Sequence, residues 1–438
     1  MPEGTESHKE RTAAVHFVTL GCPKNEVDSD RMRAVVASSA FTLAEDGEAA
    51  DVVVVNTCSF IREATEESIR TVLELAGEWK DGRGDRKLVV AGCMPSRYGE
   101  ELTASLPEVD AFLPVADEGE LLRLLHDLTG VDPRATDGPA RTVTSGSAYL
   151  QVSDGCFRRC AYCTIPYIRG PYRSRSLDDI LGEARLLVAG GAREIVLVGQ
   201  DISALGRETG GEKLAEVVRA LGRLDGLDWL RLMYVQPDGV TDELLEAMAA
   251  APNVCRYLDL PLQHASRDVL RRMNRLGDAE SVLALIERVR AAIPDIVLRT
   301  SLIAGFPGET RRDVEELQRF LEAARFDYAG IFTYSQEDGT TAAQMPDQVP
   351  LRTRRARAQR IRDLADAIGF ERAARHVGAT LDVLVEGAED GETVGRWRGQ
   401  APEVDGMVLL GEKEFVAGTI VQARIVDSMC YDLIGEVA

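Results

Sequence analysis

Three of the eight cysteines lie in one short stretch, the cysteine loop, at Cys156, Cys160 and Cys163. The Cys-x3-Cys-x2-Cys spacing gathers three thiolates, the ligands that iron–sulfur clusters prefer. Three thiolates can hold three irons of a 4Fe–4S cluster and leave the fourth iron open for chemistry. A structural zinc site needs four ligands, and no fourth Cys or His lies nearby in the sequence. The spacing favours an iron–sulfur site over the alternatives, zinc or free thiols.

Three further cysteines, the N-terminal cysteines, each follow a short apolar run. They are Cys22, Cys58 and Cys93, after the runs at 15–20, 51–55 and 87–90. Val-rich runs separated by helical stretches indicate a parallel sheet covered on both faces, whose ligands bind at the carboxyl ends of the strands. We therefore expect the three to converge at one sheet edge and hold a second iron–sulfur cluster. The alternative is that they are buried as small hydrophobic residues.

The elements that position these cysteines predict an α/β fold in three domains. Alternating strands and helices over 14–130 predict an α/β sandwich with a parallel sheet. Residues 131–147, rich in Pro, Gly, Ser and Thr, predict a linker. Six or so strand–helix units over 148–375 predict a full or partial (β/α) barrel, in which catalytic groups follow the strands. Short strands with glycine-rich turns over 376–438 predict a small five-stranded β-barrel of oligonucleotide-binding type.

The composition is acidic, with 51 Lys and Arg against 72 Asp and Glu and a formal net charge of −21. Nucleic-acid-binding proteins usually present a basic surface, so we expect nucleic acid contact to be secondary. No apolar run reaches the roughly 20 residues of a membrane helix, and the polar start at Met1–Ser7 is unlike a signal peptide. Cysteines without signs of secretion indicate metal or redox ligands, so we expect a cytoplasmic protein.

Several motifs accompany the cysteines along the chain. They are Leu20–Asn25, Asn56–Ile61, Ala91–Cys93, Asp154–Cys163, Val198–Asp201, Asp259–Ser266 and Gly305–Thr310. Together they resemble the methylthiotransferases, a family of radical S-adenosylmethionine (SAM) enzymes, over nearly the whole chain. The C-terminal barrel resembles the TRAM domain of that family, so the three domains stand in the family's order.

The resemblance implies SAM and two 4Fe–4S clusters as cofactors. The cysteine loop would hold the cluster that binds and cleaves SAM, and the N-terminal cysteines would hold an auxiliary cluster that carries or donates sulfur. One SAM would donate a methyl group and a second would serve as the radical source. No catalytic residue is assigned beyond the cluster ligands, because the cofactors carry the chemistry. The clusters need a reducing partner such as flavodoxin or ferredoxin, and we expect a monomer.

The choice of substrate rests on one motif and on charge. Gly21–Asn25 resembles the RimO type, which methylthiolates the β-carbon of an aspartate in the small-subunit ribosomal protein S-twelve. The MiaB type acts instead on an adenosine in tRNA. From His376 to Ala438 there are 12 acidic and 4 basic residues, so the net charge of this region is 4 − 12 = −8. This negative charge favours a basic protein partner over RNA. A tRNA enzyme and a non-catalytic iron–sulfur electron carrier are the alternatives; an electron carrier would need no SAM-type barrel.

The candidate SAM-binding residues lie at or after two predicted barrel strands. They are Gln200, Asp201, Arg299, Ser301, Ile303 and Gly305. The Asp201 carboxylate would meet the SAM amino group, with a solvated loop acid as the alternative. Arg299 and Ser301 would reach the ribose or carboxylate, with a structural ion pair as the alternative. Ile303 and Gly305 would lie against adenine, since glycine permits close approach of the backbone.

Two arginine-rich stretches are open to more than one interpretation. Arg169, Arg173 and Arg175 follow the cysteine loop and would order the SAM carboxylate or attract an acidic target side chain. The alternative there is a solvated loop. Six arginines between Arg352 and Arg362 lie on a predicted helix, which we expect to be solvated and paired with nearby acids, with ribosomal RNA contact as the alternative.

Overall fold

The computed structural model describes residues 12–80, 85–133, 141, 143 and 145–437. Residues 1–11, 81–84 and 438 and most of the predicted linker, 134–140, 142 and 144, lie outside the described residues. The chain forms two compact units. The described part of the first comprises residues up to 141 together with Tyr167–Arg169, and the second contains 143–166 and 170–437.

The first unit is built on a five-stranded parallel sheet in the order β2-β1-β3-β4-β5. Its strands are β1 (Ala14–Thr19), β2 (Thr42–Leu43), β3 (Val52–Thr57), β4 (Lys87–Gly92) and β5 (Ala111–Pro114). Its helices are α1 (Pro23–Ala37), α2 (Arg62–Glu74), α3 (Cys93–Tyr98), α4 (Glu100–Ser105) and α5 (Leu121–Thr129), with a π-helical turn at Leu75–Lys80 and a 3-10 helix at Val115–Glu120. Alternate residues of β3 pack into separate cores, Val52 and Val54 into one and Val53 and Val55 into the other, which explains why an unbroken apolar run forms this central strand.

Residues 93–105 form two short helices, whereas the sequence pattern alone predicts one helix near 97–105. Gly99 separates α3 from α4 with a φ of +52°, a backbone conformation that ends a helix. The first of the two already begins at Cys93, four residues before the predicted start. Cys93 therefore lies at a strand-to-helix junction and not in a longer loop.

The second unit contains a six-stranded parallel arc followed by a closed barrel. The strands of the arc are β6 (Ser147–Gln151), β9 (Glu194–Val198), β10 (Trp229–Leu232), β11 (Tyr257–Gln263), β12 (Val297–Ala304) and β13 (Tyr328–Thr333). Between β6 and β9 the chain also forms a small antiparallel pair, β7 (Ser153–Asp154) with β8 (Arg173–Ser174). The arc consists of two three-stranded sheets, β10-β9-β6 and β11-β12-β13, linked by a bridge between Leu230 and Val254. No ladder joins β6 to β13 in the described part of the chain, so the barrel is partial.

In the part of the chain that the structure describes, six helices pack against one face of the arc in the main core: α7 (Leu177–Ala189), α8 (Leu214–Leu221), α9 (Asp242–Ala250), α11 (Ala279–Ala292), α12 (Arg311–Ala324) and α13 (Leu351–Ala374). Two short helices lie elsewhere, α6 (Ile165–Ile168) after the cysteine loop and α10 (Arg267–Arg272) in a small core with Ala161. The 3-10 turns are at Ile202–Ala204, Pro237–Gly239 and Ala342–Gln344. On β12, Leu298 and Leu302 belong to the main core with the six helices, whereas Arg299, Ser301 and Ile303 alternate with them. Because side chains alternate along a strand, the last three share the opposite, inner face of the arc.

The C-terminal residues form a closed five-stranded barrel in the order β14-β15-β16-β18-β17. Its strands are β14 (Thr380–Glu389), β15 (Glu392–Trp397), β16 (Val408–Leu409), β17 (Ile420–Met429) and β18 (Asp432–Val437). Val383, Val385 and Ile425 are among the buried residues at its centre. The α/β fold class, with a parallel sheet domain, a partial barrel and a small β-barrel, is confirmed.

The prediction of a solvated arginine helix was wrong for one residue of α13. Arg354 is buried and donates hydrogen bonds to the carbonyl oxygens of Val349 (2.6 Å) and Tyr334 (3.2 Å). Its neighbour Arg357 pairs with Glu309 at 2.9 Å, as the prediction of acidic partners required. Within the described residues, no helix is long and apolar enough to cross a membrane.

Candidate active site

The carboxyl ends of three strands bring the N-terminal cysteines together. β3 and β4 end in register, with Thr57 opposite Gly92, and β1 lies beside β3. Cys22, Cys58 and Cys93 therefore follow the strands at one edge of the sheet, where ligands of parallel sheets bind. Cys58 and Cys93 are buried and Cys22 is half-buried. The described residues contain no disulfide at these positions.

Gly21 allows this convergence. Its φ of +105° is one that residues with side chains rarely adopt, and an added Cβ would lie 2.5 Å from the Cβ of Cys58. That separation is far inside a van der Waals contact. The segment that carries Cys22 can approach Cys58 only because residue 21 has no side chain.

The buried amide of Asn25 connects the same three segments. Its Oδ1 atom accepts from the thiols of Cys22 (3.8 Å) and Cys93 (3.6 Å). Its Nδ2 atom donates to the carbonyl oxygens of Leu20 (2.8 Å) and Thr57 (3.0 Å). One side chain thus fixes the ends of β1 and β3 and contacts two of the cysteines. The motif that contains Asn25 is visible in the sequence, but this role was not predicted.

Arg169 brings a positive charge to the N-terminal cysteines. Its Nη2 atom donates to Asp28 (2.7 Å) and Asn25 (3.2 Å) and lies 3.8 Å from the Cys93 sulfur. Both Arg169 and Asp28 are buried, so the alternative of a solvated loop does not hold for Arg169. Burial raises the pKa of the Cys93 thiol to about 12, and the nearby guanidinium opposes that rise. Sequence reasoning missed this contact because it joins positions 76 residues apart.

In the second unit, the cysteine loop lies between β7 and α6, with all three of its cysteines half-buried. The backbone N–H of Arg158 donates to the Cys156 sulfur at 3.3 Å. Burial, together with the neighbouring thiols of Cys160 and Cys156, raises the pKa of the Cys163 thiol to about 12. A thiolate there needs a metal or a strong donor to stabilise it.

Contacts from distant segments hold the cysteine loop in place. The Ala161 N–H donates to the Met273 carbonyl (2.9 Å), and the Ala161 carbonyl accepts from Ala342 (2.8 Å). Arg275 Nη1 donates to the Cys160 sulfur at 3.7 Å, while its Nη2 donates to Gln236 at 2.8 Å. Arg275 belongs to no motif that the sequence marks, and its contact with Cys160 spans 115 residues.

Gln200 and Asp201 follow β9 and contact the cysteine-loop region. Gln200 donates to the carboxylate of Asp154 at 3.2 Å. Asp201 is buried and accepts from the Arg158 guanidinium at 2.8 Å, so it is not a solvated loop acid. The Asp201 backbone carbonyl also accepts from the Tyr172 hydroxyl at 3.0 Å. The structure therefore brings both predicted residues to the three-cysteine motif.

The candidate residues of β12 divide into two groups. Ile303, at the carboxyl end of the strand, packs against a small core that includes Ala161 of the cysteine loop. Arg299, near the start of the strand, pairs with Asp259 at 3.0 Å and with Asp405 at 3.3 Å. These contacts form the structural ion pair that was the alternative to a contact between Arg299 and SAM. Its Nη1 atom also donates to Ser301 at 3.4 Å.

Gly305 lacks a side chain for a reason other than the predicted one. Its φ is +81°, and an added Cβ would lie 2.5 Å from Cγ and 2.8 Å from Cα of Arg354. Close packing against α13 therefore accounts for this glycine without reference to a ligand. A contact between Gly305 and adenine stays a prediction.

Comparisons with known families match three segments of the chain. Residues 14–114 match the uncharacterized protein family UPF0004, residues 150–321 match the radical SAM superfamily, and residues 377–438 match the TRAM domain. The structure is also similar to the radical SAM methyltransferase TsrM from Kitasatospora setae, solved with cobalamin and a [4Fe-4S] cluster. The TM-score is 0.53 at 14% identity, over 88% of this chain and 81% of TsrM, which supports the fold alone.

Curated relatives are similar over nearly the full length. The chain is 45% identical over 439 residues to the ribosomal protein uS12 methylthiotransferase RimO of Geobacter sulfurreducens, with coverage of 97% of this chain and 98% of the relative. It is 44% identical over 438 residues to the protein of the same name from Trichlorobacter lovleyi, with coverage of 96% and 97%. The chain belongs to the RimO family of methylthiotransferases. The resemblance inferred from the motifs is confirmed.

As a member of the RimO family, the chain is an enzyme, a methylthiotransferase of the radical SAM type. Radical SAM enzymes use SAM and a 4Fe–4S cluster. The cysteine loop fits such a cluster, because three half-buried thiols lie on one loop with backbone and guanidinium donors beside their sulfurs. Nowhere among the described residues are three His, Cys, Asp or Glu side chains arranged to hold a single metal ion.

Proposed function

We propose that this RimO-family enzyme transfers a methylthio group to the β-carbon of an aspartate in ribosomal protein uS12, the protein S-twelve. One SAM serves as methyl donor and one as radical source. The similarity to proteins of that name over 97% of the chain is the observation that carries the proposal. Two separate sets of three cysteines in one chain are consistent with two clusters, one for each part of the reaction.

Each set of cysteines has its own part in this proposal. The cysteine loop holds a 4Fe–4S cluster, which supplies reductive cleavage of SAM when bound. Gln200 and Asp201, which contact Asp154 and Arg158, lie where the polar end of SAM would bind. Arg275 holds the Cys160 sulfur through a hydrogen bond.

The N-terminal cysteines hold the second 4Fe–4S cluster, at the site of sulfur transfer. Asn25 keeps the strand ends and two thiols in place, and Arg169 balances the negative charge of thiolates in a buried site. Burial of Cys58 and Cys93 excludes water from the sulfur atoms. The residues of this chain thus bind, orient and shield, while the bound groups react.

The surface of the C-terminal barrel supports a basic protein as substrate. From residue 376 to 437, nine acidic side chains and two basic side chains are exposed. Arg396, one of the four basic residues of this region, is buried. The exposed surface would repel RNA phosphates and attract a basic ribosomal protein.

In this proposal the enzyme works in the cytoplasm, because its substrate is a ribosomal protein. The electron donor in this proposal is a flavodoxin or a ferredoxin, and the enzyme acts as a monomer. Sedimentation of the reconstituted enzyme alone would test the last point, since a stable dimer would contradict it.

The test is a parallel assay of two substrates. Anaerobically reconstituted enzyme, SAM and a reductant are offered purified uS12 and hypomodified tRNA in separate reactions, and both products are read by mass spectrometry. We expect a methylthio mass increase on an aspartate of uS12 and none on tRNA. An increase on tRNA alone would overturn the substrate, and the absence of SAM cleavage would overturn the proposed chemistry.

A further inference from the structure

The amino-terminal ends of the arc strands contact the C-terminal barrel through buried charges. Glu194, the first residue of β9, accepts hydrogen bonds from Arg231 of β10 (2.8 Å) and from Arg396 of β15 (2.6 Å). All three side chains are almost completely buried. Tyr328, the first residue of β13, packs against Tyr431 between β17 and β18, with ring centroids 5.6 Å apart. Buried ion pairs and aromatic contacts of this kind fix one domain against another.

Asp405 extends this contact into the arc. It lies between β15 and β16, and its side chain is fully buried. Its Oδ2 atom accepts from the Tyr257 hydroxyl (2.7 Å) and from the Ala401 N–H (2.9 Å), and its Oδ1 lies 3.3 Å from Nε of Arg299. A residue of the C-terminal barrel therefore contributes to the inner face of the arc.

Arg299 carries that contact along β12. Between Asp405 and Asp259 its guanidinium has carboxylates on two sides, and Nη1 also donates to Ser301. Ser301 and Ile303 continue the same inner row, and Ile303 packs against a small core that includes Ala161 of the cysteine loop. A row of residues on one strand face thus leads from Asp405 to the core beside the cysteine loop.

We propose that the C-terminal barrel forms the floor of the SAM-binding cavity, with Asp405 as a positioning residue that acts on SAM through Arg299. The inference rests on the proposed function, in which SAM binds at the cysteine loop, and on the predicted contacts of Ser301 and Ile303 with SAM. A buried guanidinium that loses one of its two carboxylates moves toward the other or takes up water. Either change would displace Ser301 and the SAM groups beside it. The TRAM domain is then part of the cofactor site as well as a surface for the substrate.

The test compares two acid-to-amide substitutions in the full-length, reconstituted enzyme. Asp405→Asn removes the charge that faces Arg299 and keeps the size of the side chain. Glu386→Gln is the matched control, because Glu386 pairs with Arg396 at 2.8 Å in the same domain contact but does not touch Arg299. SAM affinity is measured by equilibrium dialysis without reductant, so that no SAM is cleaved. Thermal unfolding and visible absorption of the clusters are recorded alongside.

We expect Asp405→Asn to weaken SAM binding by ~5-fold or more, which is within the range for substitutions that affect a site without touching the ligand. Glu386→Gln should weaken SAM binding by less than about 2-fold. If Asp405→Asn does not fold, Tyr257→Phe removes one hydrogen bond to Asp405 and should weaken SAM binding in the same direction. Unchanged affinity in a folded Asp405→Asn or Tyr257→Phe enzyme would overturn the inference, as would equal weakening in Glu386→Gln. Failure of the wild-type enzyme to bind SAM would instead overturn the proposed function on which the inference rests.

Discussion

The two cysteine sites are assembled in opposite ways. The N-terminal cysteines lie 36 and 35 residues apart (58 − 22 and 93 − 58), and the sheet brings them together. The cysteine loop places its three within eight residues, half-buried, and contacts from Met273, Arg275 and Ala342 hold it. The first site depends on the fold of a whole domain, whereas the second depends on the position of one loop.

This difference predicts separable losses of function. A substitution in the cysteine loop should affect SAM cleavage and leave the first unit intact. A substitution among the N-terminal cysteines should affect sulfur insertion and leave SAM cleavage. Substitutions in the framework of the first unit should act through its stability.

The largest effect is expected from Cys160→Ala. Loss of one of three ligands should reduce 5′-deoxyadenosine formation by ~10³-fold or more, as removal of an essential group does. About half of the iron should remain, on the N-terminal cysteines. Chromatographic measurement of 5′-deoxyadenosine and iron analysis check this, with the exposed Cys430→Ala as control. If the Cys160 variant cleaved SAM at the wild-type rate, the cysteine loop could not be the site of SAM cleavage.

Cys58→Ala should separate the two activities. SAM cleavage should stay within about 2-fold of wild type, while methylthio transfer to uS12 should fall below detection, since the proposed sulfur site would lose a ligand. Mass spectrometry of uS12 and assay of 5′-deoxyadenosine in the same reaction check both. A methylthio product from this variant would show that the N-terminal cysteines are not the sulfur site.

Arg169→Gln should have a smaller effect, confined to the N-terminal site. Removing one partner of the buried pair with Asp28 should destabilise the first unit by ~3 kcal/mol. It should also lower iron loading of a Cys160→Ala background, in which only the N-terminal site can hold a cluster. Arg173→Gln is the matched control, because Arg173 is exposed in the same stretch of chain. Equal behaviour of the two variants would show that Arg169 does not support the N-terminal cysteines.

Gly21→Ala should have the smallest effect. A Cβ at 2.5 Å from the Cβ of Cys58, added to an unfavourable φ, should destabilise the first unit by about 1–3 kcal/mol. Gly130→Ala is the control that measures backbone strain without crowding, because Gly130 has a φ of +73° and no atom within 4 Å of the added Cβ. The difference between the two variants is the steric cost at Gly21. Chemical unfolding of both variants gives the comparison. Equal destabilisation would mean that backbone strain, and not crowding at Cys58, sets the cost.

Local patterns in the sequence predicted most of the fold. The Val-rich runs of β3 and β4 were placed to within a few residues, because short apolar runs rich in β-branched residues are typical of buried strands. The break at Gly99 was missed, because the sequence alone does not show that a glycine within a helical pattern adopts a positive φ.

The candidate site was predictable where its residues are contiguous. The cysteine loop is one motif, so its spacing alone suggested the chemistry. Arg275, Arg169 and Asp405 were not assigned their contacts, because these join positions 76 to 148 residues apart and depend on the packing of separate elements. Side-chain charge indicates that an arginine needs a partner, but not which one.

Arg169 limits how this protein can be divided. In the sequence it follows the cysteine loop, yet Tyr167–Arg169 pack as part of the first unit. A fragment that stops at residue 130 would contain all three N-terminal cysteines and lack the guanidinium beside Cys93. A chimera that replaces only the residues up to 130 would pair the new domain with the 167–169 segment of this chain. The boundary of the first unit along the sequence therefore differs from its boundary in the structure. Engineered exchanges of this unit should include residues 167–169.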